Sequence, residues 1–187
     1  MKEPLHFEGK KVILEEIAPK YFSFVIEWRN NPELNKFLNQ PFKLTMENQT
    51  KWYEEKYLPD DTQILLILID KEKNIPFATT GYTDIDLENR RCIKGRLLLG
   101  NKNYARHPGF TEGLFLAQDY IFNFVDVQYA HIVKENLGSF QNAKWFGFEF
   151  NTGKIQYPDE LFVNGMEQKE IYCTKEMYLN ARKKFFI

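Results

Sequence analysis

Apolar positions along this chain change their period several times, and each change marks an element. Residues 11–17 alternate, with Val12 and Leu14 on one face, which predicts a first strand. Pro19 suits the opening turn of a helix, and Phe22, Val25, Ile26 and Trp28 then follow at helical spacing to about residue 29. The residue before Pro32 is pushed out of helical geometry, so WRNNPEL (28–34) predicts helix, break and a second short helix. Thr45 predicts a capped third helix through residue 57, burying Trp52 and ending at Leu58-Pro59-Asp60.

Residues 63–69, 76–85 and 91–99 read as three strands joined by the short connections DKEKN and LENR, an antiparallel meander. Thr111 is expected to cap a long helix to residue 124, whose Leu114, Ala117, Ile121 and Val125 form a core-facing stripe. A strand at 129–133, a helix at 137–145 stopped by Gly147, and extended stretches at 148–151 and 170–174 follow. Turn signals stand at Asn151-Thr152-Gly153 and Asn164-Gly165, and a last helix covers 175–185. Meander strands pair antiparallel, while the strand at Tyr129 must return across the helix begun at Thr111. The pattern therefore predicts an α+β fold with a mixed, mostly antiparallel central sheet flanked by helices.

At 187 residues the chain suits one domain, 1–187, with a substantial core. Its 25 basic and 26 acidic residues are mixed along the sequence for a net charge of -1, which gives no footprint for nucleic acid or an anionic membrane. The longest apolar run, Ile64 to Ile69, is far short of the roughly 20 residues that span a bilayer and reads as a buried strand. The opening MKEPLHFEGK has no apolar signal core, and Cys92 and Cys173 stand far apart, so reduced thiols and a cytoplasmic location are expected. Three scattered histidines lack metal-ligand spacing, and no GxSxG, HExxH, CxxC or Walker loop occurs, so no metal is expected.

The chemistry concentrates in two stretches. In 129–149, YAHIVKENLGSFQNAKWFGFE, Asn136 and Ser139 fall at a helix start, where orphan amides and the helix dipole make side-chain oxygens useful as caps or ligand contacts. In 100–113, GNKNYARHPGFTEG, a strand feeds a loop into a helix N-terminus, a geometry that can cradle a pyrophosphate. Asn136, Ser139 three later and Gly147-Phe148 eleven after the Asn resemble the later half of the GCN5-related N-acetyltransferase (GNAT) superfamily. More closely, the chain resembles the branch of ribosomal-protein N-terminal acetyltransferases and pseudaminic-acid-pathway amino-sugar N-acetyltransferases. The resemblance runs from about Val12 to near Cys173.

That resemblance implies a GNAT fold with strands splayed near the cofactor, acetyl-CoA as acyl donor, and direct attack by a primary amine. It places the coenzyme diphosphate at Arg106, Gly109, Phe110 and Thr111, the pantetheine arm along Leu97, Leu98 and Leu99, and further contacts at Asn136 and Ser139. Thr111 stands where the family has Gly or Ala, and Pro108 removes an amide donor from the loop. Ala143 occupies the place of the family's usual general acid, a Tyr, leaving Ser139 as the nearest alternative. For the base, the strand from Ile93 to Leu99 offers no carboxylate, so Glu135, His131 and Asp84 or Asp86 are the candidates.

Neutralising a lysine amine at pH 7 costs about 4 to 5 kcal/mol, against about 1 for an α-amine. A weakly equipped site therefore points to an amine of low basicity. WRNNPEL followed by a Thr-capped helix resembles the amino-sugar group, with Arg29, Asn30, Trp52, Tyr82 and Asp84 as substrate contacts. The expected partner is thus a small-molecule amine, a sugar nucleotide in particular, with homodimerisation allowed. The rivals are the same chemistry on a protein N-terminus or another small amine, and a catalytically silent acyl-CoA-binding module.

Overall fold

The computed structural model describes residues 4–38, 40, 42–152, 162–163 and 166–185. The first strand, β1 (His6–Glu8), has no counterpart in the sequence expectation. It is three residues long and folds back on β2 (Val12–Glu16), with Phe7 opposite Leu14. The predicted meander forms as β3 (Ile64–Asp70), β4 (Ile75–Asp86) and β5 (Arg91–Leu99), each antiparallel to the last, and β3 also pairs with β2. Beyond it come β6 (Val127–Val133), β7 (Glu149–Phe150), β8 (Phe162–Val163) and β9 (Met166–Thr174). Strand order is β1-β2-β3-β4-β5-β6-β9-β7, with β8 paired to β9. Among the described residues only β5 and β6 pair in parallel; every other described pair is antiparallel.

Strand β3 explains why the run at 64–69 is apolar throughout. Leu66 and Leu68 face a core shared with Val12, Leu14, Phe77, Leu114 and Ala117, whereas Leu65, Ile67 and Ile69 face a second core with Ile17, Phe22, Val25 and Tyr57. A strand covered on both faces has no solvent side to make polar.

The helices follow the same division. A 3-10 turn at Pro19–Tyr21 leads into α1 (Phe22–Asn30), and α2 (Pro32–Asn35) restarts after the break, with the Asn31 side chain accepting from the Glu33 amide. Next, α3 (Met46–Trp52) is capped by Thr45 as expected but widens into a π-turn over Tyr53–Tyr57 instead of continuing. On the opposite face, α4 (Pro108–Ile121) corrects the expectation for Thr111. The helix starts four residues earlier, with His107 in place of Thr111 as its cap; Pro108 takes the position where a missing amide costs nothing, and His107 Nδ1 accepts from the Gly109 amide at 3.1 Å. Thr111 is therefore inside the helix.

Helix α5 (Leu137–Trp145) keeps its expected bounds, and α6 (Lys175–Lys183) is capped by Thr174. Asp119 of α4 fastens α6 by accepting from Tyr178 Oη at 2.6 Å and from Arg182 Nε and Nη2 at 2.7 and 2.5 Å. Gly147 closes α5 at φ +86°, where a Cβ would also lie 2.7 Å from the Met177 carbonyl. The turn expected at Asn164-Gly165 lies outside the described residues. Both cysteines are free and buried, and burial pushes each thiol up to about 12, as suits inert packing. Among the described residues no helix is long and apolar enough to cross a membrane.

Candidate active site

The sheet opens in one place. β5 and β6 pair only over Arg91–Val127, Cys92–Gln128 and Ile93–Tyr129, although both strands continue, whereas β6 stays paired with β9 along its whole length to Val133–Gln168. On its other side β5 carries a bulge against β4. The register jumps between Thr79–Leu98 and Gly81–Gly95, and Arg96 takes the left-handed conformation at φ +54°. A bulge bends a strand and adds local twist, so β5 turns away while β9 holds β6. The sheet can follow this bend because Gly81 has no side chain; a Cβ there would lie 2.4 Å from the Ile64 carbonyl oxygen.

A cavity of about 240 Å³ fills the gap, and its walls include Lys94, Leu97, His131, Asn136, Ser139 and Phe148. Beyond Ile93 the β6-facing edge of β5 has no strand partner, so an extended ligand arm could pair there. Of the three leucines, Leu97 faces this cavity and Leu98 faces the opposite side of the sheet, as the strand's two-residue period requires; Leu99 packs against the core.

The histidine in the gap is paired. His131 Nε2 lies 2.9 Å from Glu170 Oε2 across the β6–β9 ladder, with side chains only 15% and 10% exposed. Asn151 Nδ2 donates to the other carboxylate oxygen. Glu170 was missed at the sequence level because its partner is 39 residues away and is met only through strand register. Glu135, by contrast, is exposed outside the cavity, and Asp86 is occupied by Asn89 and Arg91. Lys94 is a second titratable group in the walls. It is 8% exposed, its Nζ meets Thr80 Oγ1 at 3.5 Å, and burial draws its ammonium down to about 8.

At the N-terminus of α5 the cap geometry holds: Asn136 Oδ1 accepts from the Ser139 amide at 3.2 Å. That bond engages the Asn136 side-chain oxygen, and both Asn136 and Ser139 line the cavity.

The loop expected to cradle a diphosphate is held differently. Tyr104 is buried, stacked on Phe77 at 4.4 Å and bonded to Asp70 Oδ2 at 2.8 Å, while a Cβ on Gly100 would collide with Trp28. The amides of Asn101, Asn103, Tyr104, Ala105, His107, Gly109 and Phe110 all bond within the protein. What remains for an anion is mainly charge: Arg106 is exposed and pairs with no carboxylate among the described residues. Tested against an acyl-CoA, the residues fit well at the gap, which suits the thioester and pantetheine arm, and offer Arg106 with the start of α4 at the diphosphate end.

A second hollow, of about 230 Å³, lies on the other face of the sheet between α1, α3 and the β5 bulge. Arg29, Gln49, Trp52, Thr79 and Arg96 line it, and Leu38 and Arg96 are walls of both hollows. Arg29 Nε donates to Gln40 Oε1 at 2.6 Å, and Arg96 Nη2 donates to Gln63 Oε1 at 2.5 Å with its guanidinium 5.5 Å over the Trp52 ring. Burial lowers the pKa of both arginines. Of the residues expected as substrate contacts, Arg29 and Trp52 line this hollow, together with Arg96 and Gln49, which were not expected from the sequence.

Three expected contacts lie elsewhere. Tyr82 is fully buried and donates to Gln118 Oε1 at 2.9 Å, so it cannot stack on a ligand. Asp84 is exposed in the left-handed region of β4, and Asn30 is a scaffold residue gripping both backbone groups of Leu44 at 2.8 Å. A larger hollow of about 820 Å³, between α5, β7 and α6, is mostly apolar and holds none of the paired titratable groups.

Residues 11–149 match the family described as Acetyltransferase (GNAT) domain. No curated protein matches the chain. Among solved structures, a spermidine N-acetyltransferase from Vibrio cholerae in complex with CoA and spermine superposes with a TM-score of 0.75 at 18% identity, covering 92% of this chain and 100% of that one. A GCN5-related N-acetyltransferase from Brucella melitensis gives 0.78 at 19% identity, covering 98% and 85%. A domain from Methanocaldococcus jannaschii DSM 2661 gives 0.66 at 18% identity, covering 87% and 99%.

Proposed function

Because the chain belongs to the acetyltransferase (GNAT) domain family, we propose that it transfers the acetyl group of acetyl-CoA directly to a primary amine of a small molecule. The observation that carries this reading is the splayed β5–β6 gap, whose walls bring an oriented histidine together with the amide and hydroxyl of α5's first turn. Acetyl-CoA supplies an activated acyl group as a thioester.

The chain's own residues supply the rest. An amine attacks only without its proton, and His131 is the base that the gap offers. His131 and Glu170 form a partly buried pair, and the carboxylate steadies the imidazolium that forms when the ring takes the amine's proton. Ser139 Oγ is the proton donor nearest the start of α5, and Asn136 fixes the first turn that presents it. The paired side chains and the surrounding Leu97, Ala130 and Phe148 keep the gap largely apolar, which strengthens these bonds.

For the acceptor, the amino-sugar reading rests on the WRNNPEL segment and Trp52, while spermine is what the similar Vibrio cholerae enzyme carries. A catalytically silent acyl-CoA module is favoured by one observation, the diphosphate loop whose amides are already used. One experiment separates the two readings. Thiol release from acetyl-CoA is followed with spermidine, UDP- and dTDP-linked amino sugars and amino acids, alongside His131→Gln. Amine-dependent release that falls on substitution supports catalysis; saturable coenzyme binding with no release from any amine supports the silent module.

A further inference from the structure

We propose that the hollow between α1, α3 and the β5 bulge is an oxyanion-binding acceptor subsite, so that the amine acetylated in the adjoining gap also carries a carboxylate or phosphoryl group. This rests on the acyltransferase reading of the gap. Two guanidiniums, Arg29 and Arg96, line this hollow, and no acidic side chain does. Neither forms an ion pair among the described residues; their partners are the neutral amides of Gln40 and Gln63. Asp60 and Asp84 act on Arg96 only through space, without a contact pair, so the two like charges, held partly buried, repel each other and lose hydration, a cost that a bound anion offsets.

The donors left over point the same way. Gln49 is 3% exposed and its Nε2 has no partner, and Arg96 Nη1 is likewise buried and unpaired. Unpaired buried donors beside a hollow are expensive unless something accepts from them. The Trp52 ring and Gln63 fix the plane of the Arg96 guanidinium, which suits the forked recognition of a carboxylate or phosphoryl group.

Position links this hollow to the chemistry. Arg96 is the bulge residue itself, and together with Leu38 it forms the wall shared with the gap. An anion on Arg96 therefore holds its own amine within a side chain's reach of the gap. A polyamine would place further positive charge against two guanidiniums, so the subsite also rejects the acceptor found in the similar Vibrio cholerae structure.

The test is a thermal-shift titration of the whole protein, in low salt and with saturating coenzyme A so that the coenzyme site is filled. The probes are O-phosphoethanolamine and γ-aminobutyrate as anionic amines, with ethanolamine and spermidine as controls. Either anionic amine should bind at least about tenfold more tightly than its control, as one charge-assisted pair warrants. Arg96→Gln should abolish that preference while keeping the coenzyme A shift, which reports intact folding. Arg29→Gln provides a second variant should the bulge not tolerate the first. Spermidine binding as well as the anions, no anion response in a protein that responds to coenzyme A, or an anion response that survives both substitutions overturns the proposal. A protein that fails to respond to coenzyme A contradicts the acyltransferase reading instead, whatever the anions do.

Discussion

Lys94 is predicted to cost the fold stability that a neutral residue would return. Its side chain is 8% exposed among Thr80, Tyr82 and the two thiols, with no carboxylate beside it, and burial draws its pKa from an ordinary 10.5 to about 8. At roughly 1.36 kcal/mol per pH unit, that depression is worth about 3 kcal/mol, as an upper estimate. The sign follows from proton counting. Between pH 8 and 10.5 the unfolded chain holds a proton that the folded one has released, so the penalty is complete below pH 8 and fades as pH rises to 10.5. Lys94→Met keeps the length of the side chain and removes the charge. It should gain about 2 to 3 kcal/mol at pH 7, measured by urea unfolding, and the gain should shrink towards zero by pH 10.5. Cys92 and Cys173, whose thiols are pushed up to about 12, lose stability above pH 9 in both proteins; because the Lys94 charge draws both thiols down, the variant loses slightly more there, in the same direction as the predicted shrinkage. A destabilised Lys94→Met, or a difference that does not change between pH 7 and 10, refutes the reasoning. The penalty sits in the wall of the gap, where stability is ordinarily given up for function.

Other outcomes follow from single contacts. Asn136→Ala should lose about 1 kcal/mol with its cap, whereas Asn136→Asp keeps the cap and loses only the amide donor, so acetyl transfer should fall in both while stability falls in one. His131→Gln should lower kcat by about 10²- to 10⁴-fold, the range of a general base, and Glu170→Gln by less, with coenzyme A shifts unchanged; equal turnover in both variants and wild type would remove the base assignment. Gly81→Ala forces a Cβ to 2.4 Å from the Ile64 carbonyl and should destabilise by about 1 to 3 kcal/mol, with loss of acetyl transfer as β4 and the bulge shift. Asp119→Ala removes three hydrogen bonds from Tyr178 and Arg182 and should cost about 1 to 3 kcal/mol in chemical unfolding, leaving kcat nearly unchanged because the gap lies elsewhere.

The elements that hydrophobic period defines were legible in the chain. The strand at 64–70 stands out as a short unbroken apolar run, the strand at 91–99 as a stretch bounded by the LENR turn and Gly100, and the helix Leu137–Trp145 by its stop at Gly147. What escaped was set by contacts distant in sequence or by caps that carry no common signal. β1 is three residues long and exists only because β2 offers an edge. The start of α4 moved because His107 could cap through its ring, which no simple Ser/Thr/Asp/Asn signal marks. In the site, the Asn-Ser pair was visible because family spacing carries it, while Glu170 meets His131 only after β9 docks beside β6. Lys94 and Arg96 did leave a trace: two charged residues inside KGRLLL, midway along a strand at the centre of the sheet. That conflict between local pattern and burial is the kind that functional positions produce.

The claim that the β5–β6 gap is the coenzyme site is tested most directly by titrating acetyl-CoA into the wild type and into Ser139→Trp, which fills the gap from the first turn of α5. Thermal unfolding is followed in both. The wild type should gain about 2.7 kcal/mol at a ligand concentration 100 times Kd, and the variant, folded and otherwise alike, should gain nothing. Equal stabilisation of the two proteins, or none in the wild type, contradicts the account.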